Sequence, residues 1–388
     1  MALPFKKVKS SLTPGWYFMQ GNEAAAEGAI AAGCRFYAGY PITPSSEVMV
    51  RMVQRLADVG GVFVQMEDEI GSVGALIGAS WAGAKALTAT AGPGISLMTE
   101  GIGYAVITET PCVIIDVQRA GPSTGQATRP GQGDVMQVKW GAHGDNEIVA
   151  LAPWSVQEMY ELTIKAFNFS ERFRVPAFVL ADEAVGHLRE TLVISEEVEV
   201  YDRFKAPGLP PFGTDDPRGV PPMPAFGEGE NLLVTGSTHD PQGFRKTADP
   251  AAHAKLTERL VRKVRDYKEE VIQTESYFLE DAEFGVVSFG FTARAAIQAV
   301  KTLRKEGVKI GMLRLVSIWP FAGEAVAELG QKCRAVYVPE MNRGQVAGEI
   351  RKYTTRPVIP IPKTNGEVFE PAEIVEAIRR NMPWRNMP

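Results

Sequence analysis

Short apolar runs alternate with helical segments along the first half of the chain, and this alternation constrains the fold more than any other feature. The predicted strands are 16–20, 35–39, 61–65, 86–90, 112–117 and 175–180. The predicted helices are 22–32, 45–59, 69–84, 95–108 and 155–171. Strands separated by helices pair in parallel, with helices covering both faces of the sheet. The sequence therefore predicts an α/β domain over residues 1–195, with Asn22 as the N-cap of its first helix.

A segment rich in proline and glycine separates this domain from a second α/β unit. Residues 205–230 contain seven Pro and five Gly, a composition that favours an extended, solvated backbone. An amphipathic helix is predicted at 251–271. Strands at 285–289, 309–315 and 335–338 and helices at 293–305 and 344–353 follow it. We therefore expect a linker with its helix over 196–270 and a second α/β domain over 271–388.

The composition excludes several functions and locations. With 41 Lys and Arg against 46 Asp and Glu, the net charge of −5 argues against a general nucleic-acid binder. Cys34, Cys112 and Cys333 lie too far apart to form a cysteine-ligated zinc or iron–sulfur motif. The apolar stretch 70–99 is interrupted by Lys85 and by glycines, so it does not predict a membrane span. Few cysteines and no apolar leader at the N-terminus predict a cytoplasmic protein.

The segment Tyr40–Glu47 joins a predicted strand to a predicted helix. Its two prolines rigidify the turn, and Thr43 lies between them. Ligands of open α/β sheets bind at the carboxyl ends of strands, and a helix N-terminus favours an anion. The segment therefore predicts either a ligand-binding turn around Thr43 or a plain helix cap at Ser45 or Ser46.

Three acids, Glu67, Asp68 and Glu69, precede the apolar part, residues 71–84, of the predicted helix 69–84. Acids at a helix N-terminus stabilise the helix through its dipole. A carboxyl group that leads an apolar helix is also a candidate for partial burial and for proton transfer. The local pattern leaves both interpretations open.

Two further segments combine small residues with possible ligand contacts. Gly92 and Gly94 flank Pro93 in a turn that lets the backbone approach a ligand, although the pattern is not a dinucleotide-binding fingerprint. Arg119 directly follows a buried strand, and arginine can grip a carboxylate or phosphate with two hydrogen bonds. The alternative is a surface arginine paired with an acid. The segment 119–140 shows no regular period and is predicted as a functional loop.

Taken together, these segments resemble the α subunits of 2-oxoacid:ferredoxin oxidoreductases. The resemblance covers nearly the whole chain, and its QRAGPSTG and QGD motifs are most similar to the 2-oxoglutarate branch. The matching runs are YPITPSSE (40–47), EDEIGSVGALIGASWAGAKALTATAGPGISLMTEGIGYA (67–105), QRAGPSTG (118–125), QGD (132–134), HGD (143–145), LADE (180–183) and YVPEMNRGQVAGEI (337–350).

The resemblance implies a fold and a reaction. Residues 1–195 would form the pyrimidine-type domain of thiamine diphosphate enzymes, a parallel sheet with helices on both faces. Residues 271–388 would form an α/β domain similar to the C-terminal domain of transketolase. The expected reaction is oxidative decarboxylation of a 2-oxoacid, most similar to 2-oxoglutarate, with coenzyme A to an acyl-CoA and carbon dioxide, or the reverse.

The resemblance also implies roles for individual residues. Glu69 matches the glutamate that contacts the cofactor's pyrimidine ring, with Glu67 as the nearby competitor, and Gly92 and Gly94 belong to the cofactor site. Thr43 and Arg119 would bind the 1-carboxylate of the substrate. Arg129 would assist them or bind a second carboxylate.

Half of the expected active site is missing from the sequence. The family's GDG motif is absent, and Gly144-Asp145-Asn146 is its nearest match. The resemblance therefore implies a β subunit that brings the diphosphate site, Mg²⁺ and a 4Fe–4S cluster. Ferredoxin would accept the electrons, γ or δ subunits would be separate chains or be dispensed with, and the assembly would be a dimer of αβ units. Alternatives are a branched-chain 2-oxoacid or pyruvate as substrate, or a non-catalytic assembly subunit.

Overall fold

The computed structural model describes residues 5–382, which form two α/β units. The strands of the first unit are β1 (Lys6–Lys9), β2 (Gly15–Gln20), β3 (Cys34–Gly39), β4 (Val62–Gln65), β5 (Lys85–Thr90), β6 (Cys112–Ala120), β7 (Gln126–Pro130), β8 (Val149–Leu151), β9 (Pro176–Asp182), β10 (Arg189–Ile194) and β11 (Glu197–Val200). Its helices are α1 (Gly21–Ala31), α2 (Ser46–Leu56), α3 (Glu69–Trp81), α4 (Gly92–Ile107), α5 (Val135–Trp140), α6 (Val156–Phe173) and α7 (Glu183–His187).

The remaining elements follow an irregular segment at 201–249. The helices are α8 (Pro250–Arg265), α9 (Thr292–Lys305), α10 (Gly323–Lys332), α11 (Gln345–Ile350) and α12 (Pro371–Arg380). The strands are β12 (Thr274–Tyr277), β13 (Phe284–Phe289), β14 (Ile310–Leu315), β15 (Ser317–Trp319), β16 (Val336–Glu340) and β17 (Val358–Pro362). Short 3₁₀ turns at Ala57–Val59 and Lys268–Glu270 extend α2 and α8.

The main sheet has the strand order β15-β8-β9-β6-β5-β3-β4. Its strands from β8 to β4 are parallel, and β15 and β7 add antiparallel pairs at β8 and β6. The helices α1, α2 and α6 cover one face, while α3 and α4 cover the other. The predicted parallel sheet with helices on both faces is confirmed.

The second sheet has the order β12-β14-β13-β16-β17 and is parallel except for β12. Helices α9 and α12 cover one face. From the other face, Val287, Leu313 and Val338 enter the same apolar cluster as Ile114 and Phe178 of the main sheet. The two units therefore share a core, and β15 joins the second unit to the edge of the first sheet. Within residues 5–382, no helix combines the length and apolar character needed to cross a bilayer.

The predicted N-cap at Asn22 is wrong. Helix α1 begins at Gly21, so Gln20 is the N-cap, and its backbone N–H donates to Glu23 Oε2 over 2.9 Å. Asn22 is buried instead, and its Nδ2 donates to the Pro44 carbonyl oxygen over 2.8 Å. The side chain that seemed suited to a cap holds the turn before α2.

The segment 119–140 is more regular than predicted. Strand β6 extends to Ala120, and β7 pairs with this extension before the chain enters α5. Both elements are short and lie among glycines and prolines, so the sequence shows no period for them. The proline-rich segment is irregular, as expected, but its Phe212 and Met223 are buried in the shared core.

Candidate active site

The buried acid of the Glu67–Glu69 run is Glu69. Asp68 caps α3 by accepting a hydrogen bond from the Gly71 N–H over 2.7 Å, while Glu67 is exposed. Glu69 is only 4% exposed, and the Thr90 hydroxyl donates to its Oε1 over 3.3 Å. In the described part of the chain, no cation pairs with this carboxylate. Glu69 is thus available to hydrogen-bond a ligand.

The glycine turn brings the start of α4 onto this carboxylate. A Cβ atom at Gly94 would lie 1.9 Å from Thr90 Oγ1 and 2.6 Å from Glu69 Oε1. A Cβ atom at Gly92 would lie 2.8 Å from both carboxylate oxygens of Asp134. No side chain fits at these distances, so only glycine allows this close approach.

Arg119 and Thr43 also come together at the carboxyl edge of the main sheet. Arg119 is 8% exposed at the end of β6, and its Nη1 donates to the Thr43 carbonyl oxygen over 2.7 Å. Thr43 is exposed in the turn that follows β3. Since β3, β5 and β6 are adjacent and parallel, Thr43, the Gly92 turn and Arg119 follow three neighbouring strands at the same edge.

A cavity of about 430 Å³ opens at this edge, between the two units. Gly92, Arg119 and Asp134 line it from the first unit, and Arg343 and Lys363 line it from the second. The Lys363 ammonium is neutralised by Glu373 at 2.6 Å. The free positive charge in the cavity therefore comes from arginines, which suits an anionic ligand.

Arg129 lies apart from this group. Its side chain is 54% exposed on β7 and forms an ion pair with Glu367 over 3.0 Å. It is not among the residues that line the cavity. Its expected contact with substrate stays a prediction.

Gln132 is a structural centre that the sequence analysis missed. Its side chain donates to Asp182 Oδ2 and to the Phe289 carbonyl oxygen, both over 3.2 Å. It also accepts from the Thr292 hydroxyl and the Met341 N–H, both at 3.0 Å. Gln132 thus ties the QGD, LADE and PEMN motifs together across the two units. The motifs themselves were visible in the sequence, but the Gln132 side chain binds a residue 209 positions away.

Within residues 5–382, no three His, Cys, Asp or Glu side chains form a cluster that could hold a metal ion.

Comparisons with known proteins agree with this geometry. The family model "Pyruvate flavodoxin/ferredoxin oxidoreductase, thiamine diP-bdg" matches residues 27–259, and "Pyruvate:ferredoxin oxidoreductase core domain II" matches 282–374. The 2-oxoglutarate synthase subunit KorA of Methanocaldococcus jannaschii is 50% identical over 366 residues, which cover 93% of this chain and 98% of that protein.

Solved structures of known proteins also match this chain. A 2-oxoglutarate:ferredoxin oxidoreductase from Magnetococcus marinus, with 2-oxoglutarate, coenzyme A and succinyl-CoA bound, matches with a TM-score of 0.89 and 31% identity. The match covers 94% of this chain but only 65% of that chain. A split-gene transketolase, in an inactive β4 tetramer, matches with a TM-score of 0.55 at 12% identity over 94% of this chain and 98% of that one, a likeness of fold alone.

The chain therefore belongs to the pyruvate flavodoxin/ferredoxin oxidoreductase family, as the sequence motifs predicted. The predicted combination of a thiamine diphosphate-binding domain with a transketolase-like fold is confirmed.

The residues at the site fit the pyrimidine ring of thiamine diphosphate. Among residues 5–382 no cation pairs with the buried Glu69 carboxylate, and it can accept a hydrogen bond from a protonated ring nitrogen. Gly94 lies so close to Glu69 that only glycine leaves Oε1 uncovered by a side chain. The described residues thus offer a buried acceptor that the Gly94 turn leaves uncovered, which suits a ring nitrogen.

Proposed function

We propose that this chain is the α subunit of a thiamine diphosphate-dependent 2-oxoglutarate:ferredoxin oxidoreductase. The reaction converts 2-oxoglutarate and coenzyme A to succinyl-CoA and carbon dioxide while ferredoxin is reduced, or runs in reverse. The observation that carries this proposal is the buried Glu69 under the Gly94 turn. It occurs in a chain that is 50% identical to a 2-oxoglutarate synthase subunit.

Glu69 is proposed to hold a proton at the pyrimidine ring nitrogen. When bound, thiamine diphosphate supplies the carbanion nucleophile and the electron sink for decarboxylation. Thr90 holds Glu69 by its hydroxyl, and Gly94 packs closely beside Oε1. Both contacts orient the carboxylate before the ligand arrives, and such preorganisation favours catalysis.

Arg119 and Thr43 are proposed to bind the 1-carboxylate of the substrate. The Arg119 guanidinium is held by the Thr43 carbonyl oxygen, so its remaining N–H groups have a fixed direction. Arg129 is proposed as the ligand of a second carboxylate. Because it pairs with Glu367, the substrate would have to replace that partner.

The missing half of the site is assigned to partner subunits. The sequence has no GDG motif and only three cysteines, which are unpaired and buried. We therefore assign the diphosphate site, Mg²⁺ and the 4Fe–4S cluster to a β subunit, and we expect a dimer of αβ units. A cytoplasmic location belongs to the proposal because unpaired cysteines suit a reducing compartment.

The test is reduction of a viologen dye by the α and β chains produced together, with coenzyme A and each of three 2-oxoacids. Reduction with 2-oxoglutarate supports the proposal. Reduction only with pyruvate or 2-oxoisovalerate would keep the chemistry and overturn the substrate. No reduction by a complex that carries cofactor and cluster would favour a non-catalytic assembly subunit.

A further inference from the structure

Two acids outside the proposed catalytic set meet beside the cavity. Asp116 lies on β6 and is fully buried, and Asp134 lines the cavity just before α5. Their carboxyl groups face each other. Neither oxygen of Asp116 has a hydrogen-bond partner among residues 5–382, nor has Oδ2 of Asp134. Two carboxylates side by side repel each other, so the pair requires a shared proton.

The surroundings of Asp116 and Asp134 favour retention of the shared proton. On β6, Gln118 accepts a hydrogen bond from the Asp134 N–H over 3.1 Å, and Arg119 is the cation that faces Asp134. The strands on either side place uncharged Thr90 and Leu180 opposite Asp116. Burial and the Asp134 carboxyl group raise the pKa of Asp116 well above its usual value. Burial raises the pKa of Asp134 to about 6, although Arg119 opposes this shift.

The remaining neighbours of the pair also carry few charges. From α4 the contact is Gly92, and from the second unit the cavity wall brings Asn342, Gln345 and the exposed Arg343. Lys363 also lines this wall but is paired with Glu373. Arg343 is solvent-exposed, so its charge is screened and Arg119 is left to face the two carboxyl groups. These surroundings therefore favour retention of one proton by the pair.

The pair supports the same turn that covers Glu69. Asp134 contacts Gly92 directly. Thr90, which is paired with Asp116 in the sheet register, contacts both Gly94 and Glu69. The first turn of α4 is thus held on one side by Asp134 and on the other by Thr90.

We propose that Asp116 and Asp134 are positioning residues that share a proton, which holds the Gly92–Gly94 turn over Glu69 and keeps Arg119 free for the substrate carboxylate. This inference rests on the proposed function. Loss of the shared proton leaves two carboxylates in contact. Repulsion then moves Asp134 away from Asp116 and towards Arg119, where it competes with an anionic substrate.

The kinetic consequence has a definite sign. The pair titrates as a unit, and burial together with the neighbouring acid raises the pKa at which its last proton leaves. The KM for the 2-oxoacid should therefore rise as pH rises through that step, towards a limit of about tenfold per pH unit. In Asp116→Asn the amide donates to Asp134 at every pH, so the rise in KM should disappear. Asp116→Ala has no donor, and its KM should be high already at neutral pH.

An infrared measurement tests for the shared proton independently of enzymatic activity. The wild-type complex should show the carbonyl stretch of a buried protonated carboxyl group at pH 7.5, and Asp116→Asn and Asp134→Asn should both lack it. Asp182→Asn is the matched control. Burial raises the pKa of Asp182 to about 6, so it is ionised at pH 7.5 and its removal should leave the band unchanged.

The outcomes separate this inference from the proposed function. A wild-type complex without the band overturns the shared proton, whatever its activity. The positioning role is a separate question. If both variants lose the band but KM depends on pH equally in wild type and Asp116→Asn, the positioning role is overturned. Failure of every 2-oxoacid to reduce the dye contradicts the proposed function instead, and the infrared result then decides the shared proton by itself.

Discussion

The Arg119 guanidinium donates to the Thr43 carbonyl oxygen over 2.7 Å, although β5 lies between the strands that these residues follow. The bond joins the turn after β3 to the end of β6. It therefore fixes the direction of a buried guanidinium at the edge of the sheet where a substrate is expected.

Arg119→Lys should weaken substrate binding although the charge is kept. Lysine cannot present the planar fork that holds Thr43 and a carboxylate together. The loss of a charged hydrogen bond worth about 1.5–3 kcal/mol predicts a fall in kcat/KM of roughly 10- to 150-fold, mainly through KM. Steady-state kinetics of the αβ complex measure it. Arg189→Lys, in an exposed pair with Glu23 at 3.5 Å, is the control and should stay within about twofold.

Gly94→Ala should impair cofactor binding. The added methyl group would lie 1.9 Å from Thr90 Oγ1 and 2.6 Å from Glu69 Oε1, so one of these side chains must move. Overpacking of this kind costs about 1–3 kcal/mol, which predicts thiamine diphosphate binding weakened roughly 5- to 150-fold. Calorimetric titration of the αβ complex measures it. Gly348→Ala, where nothing lies within 4 Å of the new atom, should bind normally; equal affinities for both variants would contradict the close approach.

Glu109→Gln should destabilise the fold, although Glu109 lies outside the candidate active site. Glu109 is fully buried between Arg259 at 2.6 Å and Lys263 at 2.9 Å. Burial tends to raise the pKa of Glu109, but these cations hold it well below its usual 4.5. The variant leaves buried cations unpaired, at a cost of about 3–5 kcal/mol in the free energy of unfolding.

Urea denaturation at neutral pH measures the effect of Glu109→Gln. The control is Glu376→Gln, whose exposed pair with Arg380 is worth about 0–1 kcal/mol. The difference between Glu109→Gln and wild type should shrink only in acid, since a carboxylate with a lowered pKa stabilises the fold above pH 4.5. Equal urea midpoints for the two variants would show that the buried cluster contributes no stability.

His187 should stabilise the fold at acid pH. Its hydrogen bond to Glu183 raises its pKa, and Glu47 at 3.4 Å adds to the shift, while partial burial opposes it. A raised pKa gives stability that is complete below about pH 6.5 and is lost as pH rises through the folded-state value. His187→Gln should therefore lower the melting temperature at pH 5.5 and have little effect at pH 9. A difference that is the same at both pH values would rule out the charged pair.

Much of the first unit could be predicted from the sequence because its strands are short apolar runs between helices. Thr43 and Arg119 were placed by one rule, that ligands bind where parallel strands end. The local pattern of three acids did not decide between Glu67 and Glu69, and the preference for Glu69 came from the family resemblance. In the structure Glu69 is the buried first residue of α3, and Asp68 caps the helix.

The remaining features depend on pairs that are far apart in the chain. Strand β15 joins the main sheet through β8, and Gln132 binds Met341 209 positions away. The sequence did not predict a role for Asp116, because a single acid in an apolar strand shows its role only once the fold places Asp134 beside it. Asn22 was misplaced for a related reason, because its partner Pro44 belongs to another turn.

The most direct test of the central claim compares Glu69→Ala with Glu67→Ala in the αβ complex, by viologen reduction with 2-oxoglutarate and coenzyme A. Removal of a group that moves a proton in catalysis costs about 10²–10⁴-fold. Glu69→Ala should therefore lose activity by that factor, while Glu67→Ala, with its exposed side chain, should keep it. A Glu69→Ala complex that reduces the dye as fast as wild type would contradict the assignment of this chain as the catalytic α subunit.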